Sequence, residues 1–296
     1  MLYHKENNYL VINIDERIQG MSILEFFHSL FISKKNIHLL KQYKDYTLNG
    51  NYVIDSTILK KDDILKIKAY DNKRDFIEQV SSLDIIYEDD ILCIVNKPSG
   101  IIVHPDDKSK QDTLCNYVSY YYKQTSQDLP IRYLHRLDKE TTGLVMFCKC
   151  ALLQPYFDKM IAEKKIKKTY LAIIEGHLPK KELTVDKAIG ENRHSKNKMC
   201  VANSGKIAIT HFKEIKSYKQ YTLVSCQIET GRKHQIRVHL NYLNHPIISD
   251  DLYGKRYSII NRLALHAYSL QFIHPLTNQQ LTITCPMPRD MKIVLS

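Results

Sequence analysis

A chain of 296 residues with 44% hydrophobic and 25% charged side chains has the composition of an ordinary globular protein and room for two domains. Its net charge of +11 at pH 7 favours an anionic partner, most simply nucleic acid, although basic proteins without such a partner exist. No apolar stretch approaches the ~20 residues of a membrane helix, and the start lacks the basic-then-apolar order of a signal peptide, so we expect a cytoplasmic protein with no membrane partner.

The first segment, which runs to about Tyr70, mixes a helical pattern with short strands. Apolar residues at helical spacing predict one buried helix face, made of Ile23, Phe26, Phe27, Leu30 and Phe31. The stretch Tyr46–Val53 predicts a hairpin that turns at Asn49-Gly50, and Asp62–Ile67 predicts a returning strand. The polar residues 71–75 then form the best candidate for a linker.

From about Leu83 the chain becomes a longer series of strands and helices. The apolar run Ile91–Val95 predicts a buried strand, followed by a turn at Asn96–Gly100. Asp112 is the predicted N-cap of the next helix. The apolar face of that helix is Leu114, Tyr117, Val118 and Tyr121.

Further elements follow in the same manner. Strands are predicted at Leu144–Phe147, Tyr170–Ile174 and Tyr221–Val224, and a helix at Gln154–Lys165. Because strands occur both in succession and in alternation with helices, the pattern favours an α+β fold with a mixed, largely antiparallel sheet over a doubly wound one.

Seven cysteines are scattered along the chain, and none forms a C-x-x-C pair. Most lie in apolar runs, so we expect reduced, buried thiols. His234 and His239 are five residues apart, which puts them on different faces of a helix or a strand. Because zinc needs converging ligands at recognisable spacing, we expect no metal site.

One acidic residue, Asp138, lies among basic neighbours shortly before Leu144–Phe147. Positive charge on His135, Arg136 and Lys139 favours its ionised form. In a basic cleft such a carboxylate can act as nucleophile or base on an anionic polymer. An ordinary ion pair in a loop explains the same charges, and it is the simpler interpretation of this segment alone.

Two later segments carry complementary groups. Ile166–Ala172 is a lysine-rich helix end that leads into a strand beginning with Tyr170, and Glu229–His239 is a predicted turn that crowds bases beside an amide. Structural explanations exist for both: a solvated lysine face and a strand aromatic for the first segment, and a basic surface loop for the second. Together with the Asp138 segment they would supply an acid, an aromatic ring and a cation to one site.

An ordered set of short segments carries a more specific pattern. They are Asn96–Gly100 with His104-Pro105, His135–Asp138 with Thr141–Leu144, Lys168–Ala172 with Glu175-Gly176, Gly231–Arg237, His245–Asp250 with Tyr253-Gly254, Leu265–Ala267 and His274-Pro275. In this order they resemble the motifs of the RluA/RluD-type pseudouridine synthase family, over roughly residues 83–296. Thr142 and Ser249 depart from that pattern, where serine and glycine are more usual.

The resemblance implies isomerisation of a uridine within ribosomal or transfer RNA to pseudouridine, without a metal or an organic cofactor. It makes Asp138 the catalytic carboxylate, which attacks sugar or base or acts as a base in a glycal route, and the sequence does not choose among these. Tyr170 would pack against the target base, and Arg237 would pair with Asp138. Arg136 would help fill the gap left by the extruded nucleotide.

Further RNA contacts are expected on the same grounds. They are His135, Lys97, Lys168, Arg232, His234 and Gln235. The N-terminal segment resembles an S4-like domain through Leu48–Gly50 and Asp62–Ile64. We therefore expect an S4-like RNA-binding domain over residues 1–72 and a catalytic domain over residues 80–296, in a monomer.

Two other classes of protein fit parts of the pattern. A non-catalytic RNA-binding protein on the same scaffold could lose any of Asp138, Tyr170 and Arg237, whereas this chain has all three. A glycoside hydrolase usually needs two acidic groups that face one bond. Asp138 has no obvious acidic partner in the other motifs.

Overall fold

The computed structural model describes residues 1–71, 76–106, 111–193, 195 and 197–296. No helix within these ranges is long and apolar enough to cross a membrane. All seven cysteines are free thiols and six of them are buried, which confirms the prediction for those six.

The N-terminal unit, residues 1–71, is a small sheet with two helices. Its elements are β1 (Leu2–Glu6), β2 (Tyr9–Asn13), α1 (Ile23–Ser29), α2 (Lys34–Gln42), β3 (Tyr46–Leu48) and β4 (Ile64–Lys68). The strands are antiparallel in the order β1-β2-β4-β3. Helix α1 starts at a capping box between Ser22 and Glu25. The predicted helical face is confirmed for Ile23, Phe26, Phe27 and Leu30, which are buried in the core. It is wrong for Phe31, which lies beyond the end of α1 and is exposed.

The predicted hairpin at Tyr46–Val53 is wrong in its second strand. The chain does turn at Asn49-Gly50, where both φ angles are positive, but only one isolated bridge, Leu48 to Asn51, follows. The side chain of Asn49 instead accepts the N–H of Ile64 at 2.9 Å, which ties the turn to the start of β4. Strand β3 therefore pairs with β4, the strand predicted at Asp62–Ile67.

The larger sheet contains most of the remaining strands. They are β5 (Asp84–Glu88), β6 (Leu92–Lys97), β7 (Thr142–Cys148), β8 (Lys167–Glu175), β9 (Glu182–Asp186), β12 (Ile209–Ser217), β13 (Tyr221–Ile228), β14 (Leu265–Ile273) and β15 (Gln280–Thr284), while β10 (Ile189–Glu191) and β11 (Met199–Val201) form a separate hairpin. The order is β5-β6-β7-β14-β8-β13-β12-β9, and β15 also pairs with β14. The pairings described are antiparallel except that of β7 with β14, so the predicted mixed, largely antiparallel α+β fold is confirmed.

The parallel contact between β7 and β14 depends on a glycine. Gly143 has a φ of +110°, and a Cβ at this position would lie 2.3 Å from the carbonyl oxygen of Ala267 on β14. Only a residue without a side chain allows the two backbones to approach this closely. Gly143 follows the Asp138 loop by a few residues, so this contact fixes where the loop leaves the sheet.

Helices lie between the strands of the larger sheet. They are α3 (Leu114–Gln124), α4 (Gln154–Ala162), α5 (Gln235–Tyr242) and α6 (Arg289–Val294). The N-cap of α3 is Thr113 rather than the predicted Asp112, because the Thr113 hydroxyl accepts the N–H of Asn116 in a capping box. Its buried face includes Tyr122, whereas the predicted Tyr121 is only partly buried.

Polar contacts join the N-terminal unit to the larger sheet. The Tyr3 ring stacks on His274 with centroids 5.4 Å apart, and its hydroxyl donates to Asp89 at 3.1 Å. The Arg17 guanidinium donates to the carbonyl of Thr277 at 2.7 Å. Residues 72–75 of the predicted linker, including the expected domain boundary at residue 72, lie outside the described residues.

Candidate active site

Asp138, Tyr170 and Arg237, the three residues predicted to carry the chemistry, line one cleft of about 770 Å³. Asp138 lies in the loop that leads into β7, Tyr170 on β8 and Arg237 on α5. Strands β7 and β8 both pair with β14, so they are separated by two strand spacings, about 10 Å. The sheet topology is thus what brings the three side chains together.

The Arg237 guanidinium lies between two carboxylates. Its Nε and Nη2 donate to Asp250 at 2.8 and 2.7 Å, and its Nη1 lies 3.5 Å from Oδ2 of Asp138. Burial alone lowers the pKa of Arg237, but the bonds with Asp250 and the charges of both acids outweigh it and leave that pKa above its ordinary value. Arg237 is therefore a fixed cation beside Asp138.

Asp250 is a functional residue that the sequence analysis named only as part of a motif. It is fully buried, and besides Arg237 it accepts the backbone N–H groups of Leu252 and Tyr253. Its signal in the sequence is its place at the end of the motif His245–Asp250, three residues before Tyr253. Asp250 holds Arg237 so that Nη1 faces Asp138.

Arg237 lies in the first turn of α5, so the turn predicted over Glu229–His239 is wrong in its last five residues, Gln235–His239. Ile236 and Leu240, four residues apart, are both buried and give the segment a helical face. The helix presents Arg237 from a rigid element rather than from a loop.

Tyr170 is only 7% exposed and contributes to the cleft wall. Burial first, and then the nearby charge of Asp138, raise its pKa well above the ordinary value for tyrosine. Tyr170 is therefore a neutral phenol at physiological pH. It offers a flat face for stacking and a hydroxyl that can donate or accept a proton.

Several positive side chains also line the cleft, among them Arg136, Lys168 and Arg232. Arg136 is exposed, whereas burial lowers the pKa of Lys168 to about 8. The Nε of Arg232 donates to the carbonyl of Ile207 at 2.9 Å, which fixes its guanidinium at the rim. Positive charge of this kind favours a phosphate-bearing ligand.

Lys97, His135 and Gln235, also predicted to contact RNA, lie inside the protein. The fully buried Nζ of Lys97 donates to three carbonyl groups, one of them that of Lys139 at 2.9 Å. Nε2 of His135 accepts the N–H of Met146, and burial lowers the pKa of His135 well below its ordinary value. These contacts hold the Asp138 loop from beneath and leave these two side chains little access to RNA.

The Gln235 amide holds the segment before α5. Its Nε2 donates to the carbonyl of Ile209 and the hydroxyl of Thr210, and its Oε1 accepts from Thr230 and from the N–H of Arg232. All of these partners belong to the protein. The Gln235 side chain, which also lines the cleft, is thus held by hydrogen bonds at both its amide nitrogen and its oxygen.

His234 lies beside the acid and immediately before α5. Its Nε2 is 4.0 Å from Oδ2 of Asp138, and its Nδ1 is 2.9 Å from the hydroxyl of Tyr253. Within the described ranges, no group of three or more His, Cys, Asp or Glu side chains is arranged to hold a metal ion.

Comparisons with known proteins agree with this geometry. Residues 91–242 match the family model described as RNA pseudouridylate synthase, and residues 10–65 match the RluD ribosomal pseudouridine synthase N-terminal domain. The chain is 36% identical over 287 residues to the uncharacterized RNA pseudouridine synthase YhcT of Bacillus subtilis, covering 96% of this chain and 95% of that protein.

Two further proteins extend the likeness. The ribosomal large subunit pseudouridine synthase D of Vibrio vulnificus is 32% identical over 84% of this chain and 83% of its own length. The solved structure of human RNA pseudouridylate synthase domain containing 4 matches with a TM-score of 0.61 and 26% identity, over 72% of this chain and 91% of that one. The chain therefore belongs to the RluA/RluD-type RNA pseudouridine synthases, isomerases that convert uridines of RNA into pseudouridines.

Proposed function

We propose that Asp138 is the catalytic carboxylate of this synthase. The observation that carries the proposal is the asymmetry of its two oxygens. Oδ2 faces Arg237 at 3.5 Å, whereas no hydrogen bond reaches Oδ1 from any of the described residues. An ionised carboxylate with one oxygen held and the other open to a cleft is suited to attack carbon or to take up a proton.

The reaction exchanges one bond of the uracil for another. The bond between N1 and the C1′ carbon of the ribose breaks, a bond between C5 and C1′ forms, C5 loses its proton and N1 gains one. Atoms and electrons balance without an oxidant or reductant. Attack by Oδ1 of Asp138 and removal of a proton by the same oxygen both fit this scheme.

Tyr170 and Arg136 support the same function in two ways. The Tyr170 ring offers a stacking face for a uracil that has left the RNA helix. The exposed Arg136 guanidinium can occupy the space that the uracil leaves. Extrusion of a base costs a few kcal/mol, and stacking and charge contacts of this type offset it.

The replacement Asp138→Asn tests the proposal directly. It removes the charge with almost no change in shape, so we expect loss of pseudouridine formation while RNA binding persists. Asp186→Asn is a matched control, because Asp186 is exposed at the end of β9. Pseudouridine is counted by mass spectrometry of the RNA, and affinity is measured separately. Substantial turnover by Asp138→Asn would contradict the assignment.

We also propose ribosomal RNA as the substrate, with the N-terminal unit as an RNA-binding domain. Relatives at about a third identity are named for the large ribosomal subunit, and the N-terminal unit matches the RluD N-terminal domain. Pseudouridine mapping in total RNA from cells with and without the gene tests this. If the only pseudouridine lost without the gene lies in transfer RNA, the substrate is transfer RNA and not ribosomal RNA.

The remaining expectations concern the state of the protein. We propose that it acts in the cytoplasm as a monomer, since Asp138, Tyr170 and Arg237 come from one chain. Light scattering coupled to size-exclusion chromatography tests this, with a mass near 34.7 kDa expected.

A further inference from the structure

Tyr253 connects three parts of the molecule near the active site. Its hydroxyl accepts the N–H of Met199 on β11 at 2.8 Å and lies 2.9 Å from Nδ1 of His234. Its ring lies under the Arg237 guanidinium, with 5.2 Å from Cζ to the ring centroid. The side chain is therefore held at both ends, and its hydroxyl is at a fixed distance from the His234 ring.

These contacts select one tautomer of His234. The Tyr253 oxygen already accepts from Met199, and its own proton is free to be donated to Nδ1 of His234. Nε2 then carries the imidazole proton and points it at Oδ2 of Asp138. The opposite tautomer would direct a lone pair from Nε2 at an ionised carboxylate, which is electrostatically unfavourable.

Burial, with the help of two neighbouring cations, favours the neutral form of the His234 ring. Burial is the largest influence and lowers its pKa; the charges of Arg237 and Lys233 act in the same direction, and those of Asp138 and Asp250 oppose them. A neutral ring has one N–H, so its direction matters. With Nδ1 facing Tyr253, that N–H is the one on Nε2.

The distance from Nε2 to Asp138 is 4.0 Å, longer than a hydrogen bond. A shift of about 1 Å would close it, and hydrogen bonds of active sites commonly tighten when substrate binds. Arg237 approaches the same oxygen, Oδ2. With both donors on Oδ2, the carboxylate cannot rotate, and Oδ1 is left to the nucleotide.

We propose that His234, with its tautomer set by Tyr253, is a positioning residue that donates from Nε2 to Oδ2 of Asp138 in the RNA complex and so directs Oδ1 at the uridine. This inference rests on the proposed role of Asp138. It replaces the earlier expectation that His234 contacts RNA.

The backbone at His234 makes a sharp test possible. Its φ is +56°, in the left-handed region that asparagine tolerates better than most residues with side chains. Asparagine places its amide near Nδ1 and does not reach Asp138, whereas glutamine places an amide N–H near Nε2. If His234 has a purely structural role, His234→Asn should have the higher kcat, because asparagine tolerates this backbone conformation. If His234 positions Asp138, His234→Gln should have the higher kcat, because glutamine retains a donor near Nε2.

We expect His234→Asn to lower kcat by about 10- to 100-fold, the range for loss of a hydrogen bond to a charged group. His234→Gln should recover most of that loss, and KM for RNA should change little in either variant. Circular dichroism and thermal unfolding establish that both are folded. Equal kcat values in the two variants, or a change confined to KM, would overturn the proposal.

Nuclear magnetic resonance of ¹⁵N-histidine-labelled protein gives a readout independent of activity. At pH 7.5 we expect His234 to carry its proton on Nε2, and Tyr253→Phe, which keeps the ring under Arg237, to yield a mixture of tautomers. A proton on Nδ1 in the unaltered protein would refute the inference. Asp138→Asn, assayed in parallel, separates the two claims: turnover by that variant contradicts the proposed function and leaves the tautomer result standing.

Discussion

At the scale of single residues, the Arg237–Asp250 pair is the part of the site most sensitive to change. Asp250 is fully buried, and Arg237 supplies its only charged partner among the described residues. Removal of one member of a buried ion pair leaves the other charge without compensation, which costs about 3–5 kcal/mol. We therefore expect Arg237→Ala to lower the free energy of unfolding by that amount, measured by urea denaturation.

The matched control is Arg256→Ala. Arg256 also makes a two-point contact with an aspartate, Asp251, but the Arg256 side chain is 83% exposed. Water replaces the lost partner there, so a much smaller change is expected. Equal effects of the two replacements would show that burial does not govern the strength of the Arg237 pair.

Replacement of Arg237 should also lower the rate of catalysis, independently of its effect on stability. In the folded fraction of Arg237→Ala, Asp138 loses the cation beside Oδ2, so kcat should fall more than RNA affinity does. Single-turnover assays with saturating enzyme separate the two quantities. A loss of affinity alone would indicate that Arg237 contacts a phosphate.

At the scale of elements, the close pairing of β7 with β14 depends on Gly143. Alanine at this position would require a φ near +110° and would place its Cβ 2.3 Å from a backbone oxygen of β14. Strain and overlap together should cost about 2 kcal/mol or more. We expect a lower melting temperature for Gly143→Ala, with a larger proportional loss of turnover because the Asp138 loop moves with β7.

Gly231→Ala is the control for that replacement. A Cβ at Gly231 meets no atom within 4 Å, and its φ lies outside the left-handed region. Its melting temperature should stay within the error of the unaltered protein. A comparable fall in both variants would mean that the parallel strand contact is not the sensitive feature.

At the scale of the whole molecule, four histidines, three of them buried and His234 partly buried, should make stability depend on pH. The pKa values of His135, His234, His239 and His266 are all lowered, with burial as the largest cause. Below about pH 6.5 the unfolded chain protonates these rings before the folded chain does, so it binds more protons and stability falls as pH falls. Between pH 7 and about 5.5 we therefore expect the free energy of unfolding to fall, by roughly 1 kcal/mol for each ring that stays neutral in the folded chain.

Urea denaturation across this range measures the effect. The partly buried acids Asp15 and Asp89, whose pKa values are lowered to about 2, affect stability only below about pH 4 and do not contribute here. His135→Gln should reduce the loss by one ring, whereas replacement of the exposed His38 should not alter it. A stability that is constant from pH 7 to 5.5 would be inconsistent with four neutral rings.

The net charge of +11 should make RNA binding sensitive to salt. Three cleft cations, Arg136, Lys168 and Arg232, give a slope of about −2 in log affinity against log salt for single-stranded RNA. Affinity should then fall by about 20-fold or more from about 50 to about 200 mM salt, and Arg232→Gln should reduce the slope by about 0.7. Fluorescence anisotropy measures both, and a flat salt response would exclude phosphate contacts by these residues.

Local sequence pattern was sufficient to predict several strands and the residues that line the cleft. Apolar runs such as Ile91–Val95 and Leu144–Phe147 correctly predicted buried strands, and the ordered motifs connected Asp138, Tyr170 and Arg237. Local pattern does not show a partner that is far away in sequence. Lys97 follows the predicted strand Ile91–Val95 and resembles a solvent-facing lysine, yet one of its three acceptors is the carbonyl of Lys139, 42 residues on.

The hairpin error has the same origin. Asn49-Gly50 specified its turn correctly, but the strand that pairs with Tyr46–Leu48 was decided by the contact of Asn49 with Ile64. Turn chemistry is local, whereas strand pairing is a choice among all available edges.

The central position of β14 has a consequence for the folding of the enzyme during its synthesis. Strands β7 and β8 have no common neighbour until Leu265–Ile273 has been synthesised, and that segment lies near the end of the chain. Until then two partial sheets would present unpaired edges, one connected to Asp138 and the other carrying Tyr170. A nascent chain in which β14 has not yet been made therefore has no complete active site, and the enzyme becomes able to modify RNA only after Leu265–Ile273 has joined β7 to β8.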